Sequence, residues 1–180
     1  MPWRAVAAYP AAAQRGLALF LGRARCYVCH SGPNFSNGEF SDIGVPFFVG
    51  KAQVDPGRHG GIQSLRASRY NLLGPFNDDA SRSTATSTRH VLIDHRHFGE
   101  FRVPSLRNLA RTAPYMHNGS LRTLREVLRH YSDLDENRLH ADGERILVPL
   151  RLIEGETEDL LAFLDSLSPP GAKPAQKVAP

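Results

Sequence analysis

The 180-residue sequence contains only two cysteines, two methionines and one tryptophan, and it has no long apolar run. Two cysteines cannot build the dense disulfide framework of a small secreted scaffold. The absence of about 20 consecutive apolar residues excludes a transmembrane helix. With 41% hydrophobic residues, the chain suits one soluble globular domain with a modest core.

The sequence is also poor in lysine, so nearly all of its positive charge comes from arginine. The formal net charge is +4 and the isoelectric point is about 9.4, but the arginines are spread along the chain rather than gathered in one block. This distribution favours a solvated basic surface over a nucleic-acid-binding face. We therefore expect no nucleic-acid partner, whereas an acidic redox partner would suit such a surface.

The two ends of the sequence lack the patterns of targeting or packed segments. Residues 1–16, MPWRAVAAYPAAAQRG, have no basic stretch followed by a continuous apolar run, so they do not resemble a secretory signal. The final residues are rich in proline, alanine and lysine and have no apolar periodicity, which is typical of a disordered tail. We predict an N-terminal extension over 1–10, a single domain over 11–168 and a disordered tail over 169–180.

Both cysteines fall in one pentapeptide, CYVCH, at residues 26–30. In a C-x-x-C-H motif the two thiols attach haem covalently and the histidine ligates its iron. A redox dithiol normally follows a strand, which the preceding residues do not predict. A zinc site needs four ligands, and there is no second cysteine pair, although other histidines could complete the set. The motif therefore predicts one covalent haem c, with Cys26 and Cys29 as its attachment points and His30 as the proximal ligand.

Two segments at opposite ends of the chain have the periodicity of amphipathic helices. Residues 11–22 contain Gly16, which would let another helix approach closely. Residues 156–167 have acidic side chains in the first turn, where the helix dipole favours them. We expect the two helices to cross and to form the core with these apolar residues: Leu17, Phe20 and Leu21 in the first, and Leu160, Phe163, Leu164 and Leu167 in the second.

A third helix is predicted over residues 124–131. Thr123 and Glu126 match a capping box, which makes Thr123 the candidate N-cap. Tyr131 shares the apolar face of Leu124, Val127 and Leu128, so it should point inward. Periodicity alone leaves open whether Tyr131 is an ordinary core residue or an iron ligand.

The segments between these helices are rich in glycine and proline and show little alternation, so we predict long irregular loops. We place His59 in the turn-forming stretch DPGRHGG. His90, His95 and His97 fall in a polar stretch that is typical of a surface loop. We assign none of these four histidines to iron.

Three stretches resemble the bacterial diheme cytochrome c peroxidases and, more closely, the MauG-type diheme enzymes of methylamine utilisation. They are AQRGLALFLGRARCYVCHSGPNFS, FRVPSLRNLARTAPYMHNGSLRTLREVLRHY and EDLLAFLDSLS. Their order and spacing resemble the C-terminal haem domain of such enzymes. The resemblance implies an all-α, cytochrome c-like haem domain.

The resemblance also implies where the sixth iron ligand lies. In the family it comes from the helix after the YMH loop, fourteen residues beyond the loop histidine, and it is a methionine in the peroxidases and a tyrosine in MauG-type proteins. Counting from His117 reaches Tyr131, which is our first choice; Met116 is the runner-up and His117 is third. A phenolate favours ferric iron and would imply a low-potential haem. His117 and Arg107 are candidates to bind a haem propionate or to serve catalysis, unless Arg107 is simply an exposed surface arginine.

The sequence departs from the family because it has one C-x-x-C-H motif, whereas family members carry two haems and meet hydrogen peroxide at the N-terminal one. Asn118 also replaces the more usual aspartate, which removes a charge near the expected domain junction. We therefore expect an electron-transfer domain of a truncated or split family member, whose partner is a redox protein or the missing haem domain. Covalent haem attachment implies a periplasmic location, although no signal peptide is recognised.

Two other interpretations stay open. The chain could be a self-contained single-haem peroxidase that reduces hydrogen peroxide, in which Tyr131 is not a ligand and His117 or Arg107 assists. Alternatively, it could be a basic module without haem that is stabilised by zinc.

Overall fold

A computed structural model of the chain describes residues 9–45, 48–50, 53–143 and 145–171. The described residues are mainly helical, as predicted, with a few short strands. None of the helices among them combines the length and apolar character that crossing a membrane requires. The chain divides into two compact units. The first comprises Met1–Glu39, Val103–Asp135 and Val148–Pro180, and the second comprises Phe40–Arg102 and Glu136–Leu147.

Within the described residues, the α-helices in chain order are α1 (Ala11–Leu21), α2 (Arg58–Ala67), α3 (Thr86–His90), α4 (Leu124–Ser132) and α5 (Glu154–Ser166). The strands are β1 (Phe40–Ser41), β2 (Phe48–Gly50), β3 (Gln53–Val54) and β4 (Phe101–Arg102). Short 3-10 turns connect them, including Cys26–Val28 and His95–His97. The predicted extension and tail lie largely outside the described residues, and the domain boundaries remain predictions.

The core of the first unit forms where α1 crosses α5. A Cβ added at Gly16 would lie 1.9 Å from the backbone oxygen of Asp159, so only glycine permits this approach. The predicted close crossing is therefore confirmed. Leu21 was wrongly assigned to the core, because it lies at the end of α1 and is 55% exposed. The buried apolar cluster consists of Phe20, Leu128, Leu160, Phe163, Leu164 and Leu167.

Helix α4 begins as its capping box predicts. The Thr123 side chain accepts a hydrogen bond from the backbone N–H of Glu126 at 3.2 Å, and the Glu126 carboxylate accepts one from the N–H of Thr123 at 2.9 Å. These bonds satisfy donors that the first helical turn leaves unpaired. The start of α4 and the side from which Tyr131 projects are thus fixed locally.

The second unit contains short elements that the sequence pattern did not predict. Strands β1 and β4 pair antiparallel, with Phe40 opposite Arg102, and β2 pairs antiparallel with β3. The turn predicted around His59 is wrong, because this residue lies in α2. That helix buries only Ile62 and contains two glycines, so it has no apolar periodicity to recognise. His97 is also not a surface residue, since it is only 4% exposed.

Candidate haem site

The C-x-x-C-H motif forms a tight turn in the first unit. Arg25 adopts a left-handed backbone conformation, with φ of 52°, and Cys26–Val28 then form one 3-10 turn. Residues i and i+3 eclipse each other in such a turn, which brings Cys26 and Cys29 to the same side. The backbone N–H of His30 donates to the Cys26 carbonyl at 2.9 Å and continues the turn to the histidine.

The two thiols are half-buried and are not joined by a disulfide. Burial raises the pKa of Cys26 to about 11, and its Sγ donates a long hydrogen bond to the Ala24 carbonyl at 3.6 Å. A redox-active C-x-x-C motif instead lowers the pKa of its attacking thiol, often to 7 or below. The surroundings of Cys26 therefore differ from those of a redox-active C-x-x-C thiol.

The imidazole of His30 is oriented by backbone carbonyls. Its Nδ1 lies 3.0 Å from the Phe35 carbonyl oxygen, and because a carbonyl only accepts, Nδ1 carries the proton and Nε2 keeps its lone pair. Burial lowers the pKa of His30, while hydrogen bonds to the Phe35 and Pro104 carbonyls act in the opposite direction. A neutral imidazole with one nitrogen held by a carbonyl has the usual arrangement of a metal-ligating histidine.

Tyr131 lies near this motif although about a hundred residues separate them in the sequence. Burial raises the pKa of its hydroxyl above the ordinary value, and negative charge on Cys26 and Cys29 would raise it further. Backbone bonds hold this end of α4 in place: the Tyr131 carbonyl accepts from the N–H of Leu150 at 3.0 Å. The first unit thus brings together four predicted site residues, Cys26, Cys29, His30 and Tyr131.

The YMH loop is a separate, fixed turn of the first unit. The backbone N–H of Tyr115 donates to the Leu121 carbonyl at 2.7 Å, and its hydroxyl donates to the Leu109 carbonyl at 2.9 Å. Met116 is half-buried and has a φ of 69°, whereas His117 is exposed. These contacts define the loop, whereas Tyr131 is the distal candidate whose hydroxyl interacts electrostatically with both cysteines of the motif.

Arg107 binds the loop that follows the motif. Its guanidinium carbon lies 4.9 Å from the centre of the Phe35 ring, and its Nε donates to the Pro33 carbonyl at 3.0 Å. Two serines reinforce the same junction: Ser105 Oγ donates to the Asn34 carbonyl at 2.6 Å, and Ser36 Oγ donates to the Val103 carbonyl at 2.7 Å. Because Phe35 also supplies the carbonyl that orients His30, Arg107 supports the proximal side of the site.

Sequence reasoning missed the carbonyl partners of His30. The carbonyl groups of Phe35 and Pro104 act through the backbone, so no side-chain pattern marks them in the sequence. The available signal was the recurrence of serine and arginine in SGPNFS and VPSLR. In the structure, side chains of each segment donate hydrogen bonds to backbone carbonyls of the other.

The donor set fits a c-type haem, because two adjacent thiols and a carbonyl-oriented neutral imidazole are the groups that covalent attachment and axial ligation require. A tyrosine hydroxyl is also chemically suited to serve as a second axial donor. No cluster of four zinc ligands includes this motif among the residues that the structure describes.

No family model matches the chain, but several curated proteins are similar to it in sequence. The chain is 38% identical over 172 residues to the cytochrome-c peroxidase IdrP1 of Denitromonas iodatirespirans, covering 90% of this chain and 42% of that protein. It is 35% identical over 168 residues to the methylamine utilization protein MauG of Methylorubrum extorquens, covering 93% of this chain and 37% of that protein. The chain thus spans about two fifths of the length of these relatives.

Solved structures of similar proteins also match the chain. A MauG-like protein associated with microbial copper homeostasis matches with a TM-score of 0.56 and 29% identity, over 88% of this chain and 47% of that chain. The diheme peroxidase BthA from Burkholderia thailandensis matches with a TM-score of 0.62 at 19% identity, over 88% of this chain and 43% of that one, and this likeness concerns the fold alone. By sequence and by fold, the chain is related to the bacterial cytochrome c peroxidase and MauG family, over a part of the length of its relatives.

Proposed function

We propose that the chain is a c-type cytochrome domain that binds one haem covalently and transfers electrons, with an all-α cytochrome c-like fold. Cys26 and Cys29 would form the two thioether links, His30 would be the proximal ligand and Tyr131 the distal one. The observation that carries this proposal is that the hydroxyl of Tyr131, on α4, lies close enough to Cys26 and Cys29 for charge on these thiols to raise its pKa. When bound, the haem would supply one-electron redox chemistry.

Each of these residues has a defined task in the proposal. His30 keeps its proton on Nδ1, held by the Phe35 carbonyl, and offers Nε2 to the iron. Arg107 is a positioning residue, because it braces the loop that carries Phe35. Met116 is the runner-up distal ligand, and its thioether would raise the reduction potential where a phenolate would lower it.

Tyr131 must lose its hydroxyl proton to bind as a phenolate. Burial raises its pKa, so an isolated phenolate would be unstable at this position. A cation beside the oxygen reverses this balance, because an opposite charge favours the ionised form. Ionisation of Tyr131 is therefore coupled to occupation of the site.

We also propose that the chain functions with a second protein component, either a redox partner or a separate haem domain, in the periplasm. The relatives are about two and a half times longer than the segment matched here, which supports a function shared between this domain and a second one. A second candidate function is a self-contained peroxidase, supported by the names of the relatives, several of which are cytochrome-c peroxidases.

Haem attachment is tested by co-expressing the chain with a periplasmic haem-attachment system. We expect a mass increase of one haem per chain and the absorption of a haem c in alkaline pyridine. The Cys26→Ala/Cys29→Ala variant should lose covalent haem, while the His117→Ala variant, altered at an exposed histidine, should keep it. A folded wild-type chain that acquires zinc and no covalent haem would overturn the proposal.

A further inference from the structure

We propose that His95, His140 and Asp142, in the second unit, form a binding site for a divalent transition-metal ion of the zinc and copper class. Each residue offers one ligand atom, and these atoms all lie within 4.8 Å of one another. The site is distinct from the haem site, whose residues all belong to the first unit. It does not depend on the proposed haem function.

The three side chains come together because contacts with the backbone position the two segments that carry them, one beginning at His95 and the other containing His140 and Asp142. Strands β1 and β4 pair antiparallel, and directly after β1 the Asp42 carboxylate accepts a hydrogen bond from the backbone N–H of His140 at 2.6 Å. In the other segment, Asp94 caps the 3-10 turn that begins at His95 by accepting from the N–H of Arg96 at 3.1 Å. The two histidines are thus presented from anchored turns.

The aromatic rings pack against one another at the same place. The ring centres of His95 and His140 are 4.8 Å apart, at an interplanar angle of 65°. The Phe98 ring lies 6.4 Å from His95 and 6.5 Å from His140, measured between centres. The Phe98 ring therefore lies beside both imidazoles.

Polar atoms of the three residues already interact with one another. His95 Nδ1 lies 3.3 Å from Asp142 Oδ2, and the backbone N–H of Asp142 donates to His140 Nδ1 at 3.2 Å. A metal ion would take the place of these two hydrogen bonds. His95 would carry its proton on Nε2 instead of Nδ1, and the Asp142 N–H would give up its bond to His140.

The donor types define the class of metal. Imidazole nitrogens suit zinc, copper, nickel and iron, whereas calcium and magnesium prefer sites made of oxygen alone. Two histidines and one carboxylate leave positions for water, because His95 and Asp142 are exposed. Without a metal, the exposed His95–Asp142 pair would contribute little to stability. A shared ion would instead cross-link two segments that are 45 residues apart in sequence.

The test is a calorimetric titration of the haem-loaded protein with Zn²⁺, after bound ions have been removed with a chelator and any unreacted thiols have been alkylated. We expect one Zn²⁺ per chain. His95→Ala, His140→Ala and Asp142→Asn should each lower the affinity at least about tenfold. His90→Ala, at an exposed histidine of the same unit, should leave the affinity unchanged, and Ca²⁺ should give no comparable binding.

Alkylation separates this test from the haem proposal, because zinc held by Cys26 and Cys29 can no longer contribute. X-ray absorption at the zinc edge should show two imidazole ligands, and circular dichroism checks that each variant is folded. Three results would each overturn the site: no Zn²⁺ binding, binding that all three variants retain, or binding of Ca²⁺ as tight as that of Zn²⁺.

Discussion

Replacing Gly16 by alanine should destabilise the first unit by driving α1 and α5 apart. The added Cβ would lie 1.9 Å from the Asp159 oxygen and 2.8 Å from Phe163 Cβ, whereas ordinary contacts begin at 3.4 Å. The nearest obstacle is backbone, which cannot rotate away, so we take the upper end of the overpacking range, about 3 kcal/mol. Alanine recovers about 1 kcal/mol through its helix propensity. The net loss should be about 2 kcal/mol.

Urea unfolding followed by circular dichroism measures this loss. With a slope of about 2 kcal/mol/M, the midpoint should fall by about 1 M. Gly155→Ala is the matched control, because Gly155 lies in the first turn of α5 and an added Cβ would meet nothing within 4 Å. This variant should be as stable as the wild type or up to about 1 kcal/mol more stable. If Gly16→Ala matched or exceeded wild-type stability, the proposed close crossing would be refuted.

Three further perturbations test other contacts by urea unfolding. Thr123→Ala should cost about 1 kcal/mol by removing the N-cap of α4, while Thr123→Ser should restore most of it; equal stability of the two variants would contradict the capping role. Hydrogen bonds from the following turn hold the pKa of Asp79 below its ordinary value. The contribution of Asp79 to the free energy of unfolding is therefore complete above about pH 4 and is lost at lower pH. Asp79→Asn should remove that acid dependence, while the control Asp78→Asn should keep it, and an unchanged pH profile in Asp79→Asn would refute this assignment. Arg107→Ala should cost about 1 kcal/mol through its lost contact with Phe35, with Arg107→Lys intermediate; no loss would show that Arg107 does not brace the loop.

Strong periodicity made the helices of the first unit predictable. Helix α4 begins after Thr123, and α5 begins at Glu154, two residues before its predicted start. Gly16 was recognisable because a small residue in an amphipathic helix permits close packing. The assignment of Leu21 failed because a helix end can turn its last apolar side chain to solvent.

The second unit was largely hidden from sequence reasoning. Its strands are two or three residues long, too short to show alternation, and α2 buries a single side chain. The cluster of His95, His140 and Asp142 joins residues up to 47 positions apart in the sequence, so no local spacing indicates it. Periodicity left the role of Tyr131 open, and its proposed role as the distal ligand comes from the resemblance to a family pattern.

The distal ligand is the central claim that one measurement can decide. The haem-loaded ferric protein should be examined by absorption and low-temperature EPR beside Tyr131→Phe, with Tyr115→Phe as the matched control. Tyr115 is also half-buried in the first unit, but its hydroxyl donates to the Leu109 carbonyl. We predict a six-coordinate low-spin signal that changes in Tyr131→Phe and persists in Tyr115→Phe. A five-coordinate high-spin signal that is indifferent to Tyr131→Phe and responds to peroxide would contradict the account and favour a self-contained peroxidase.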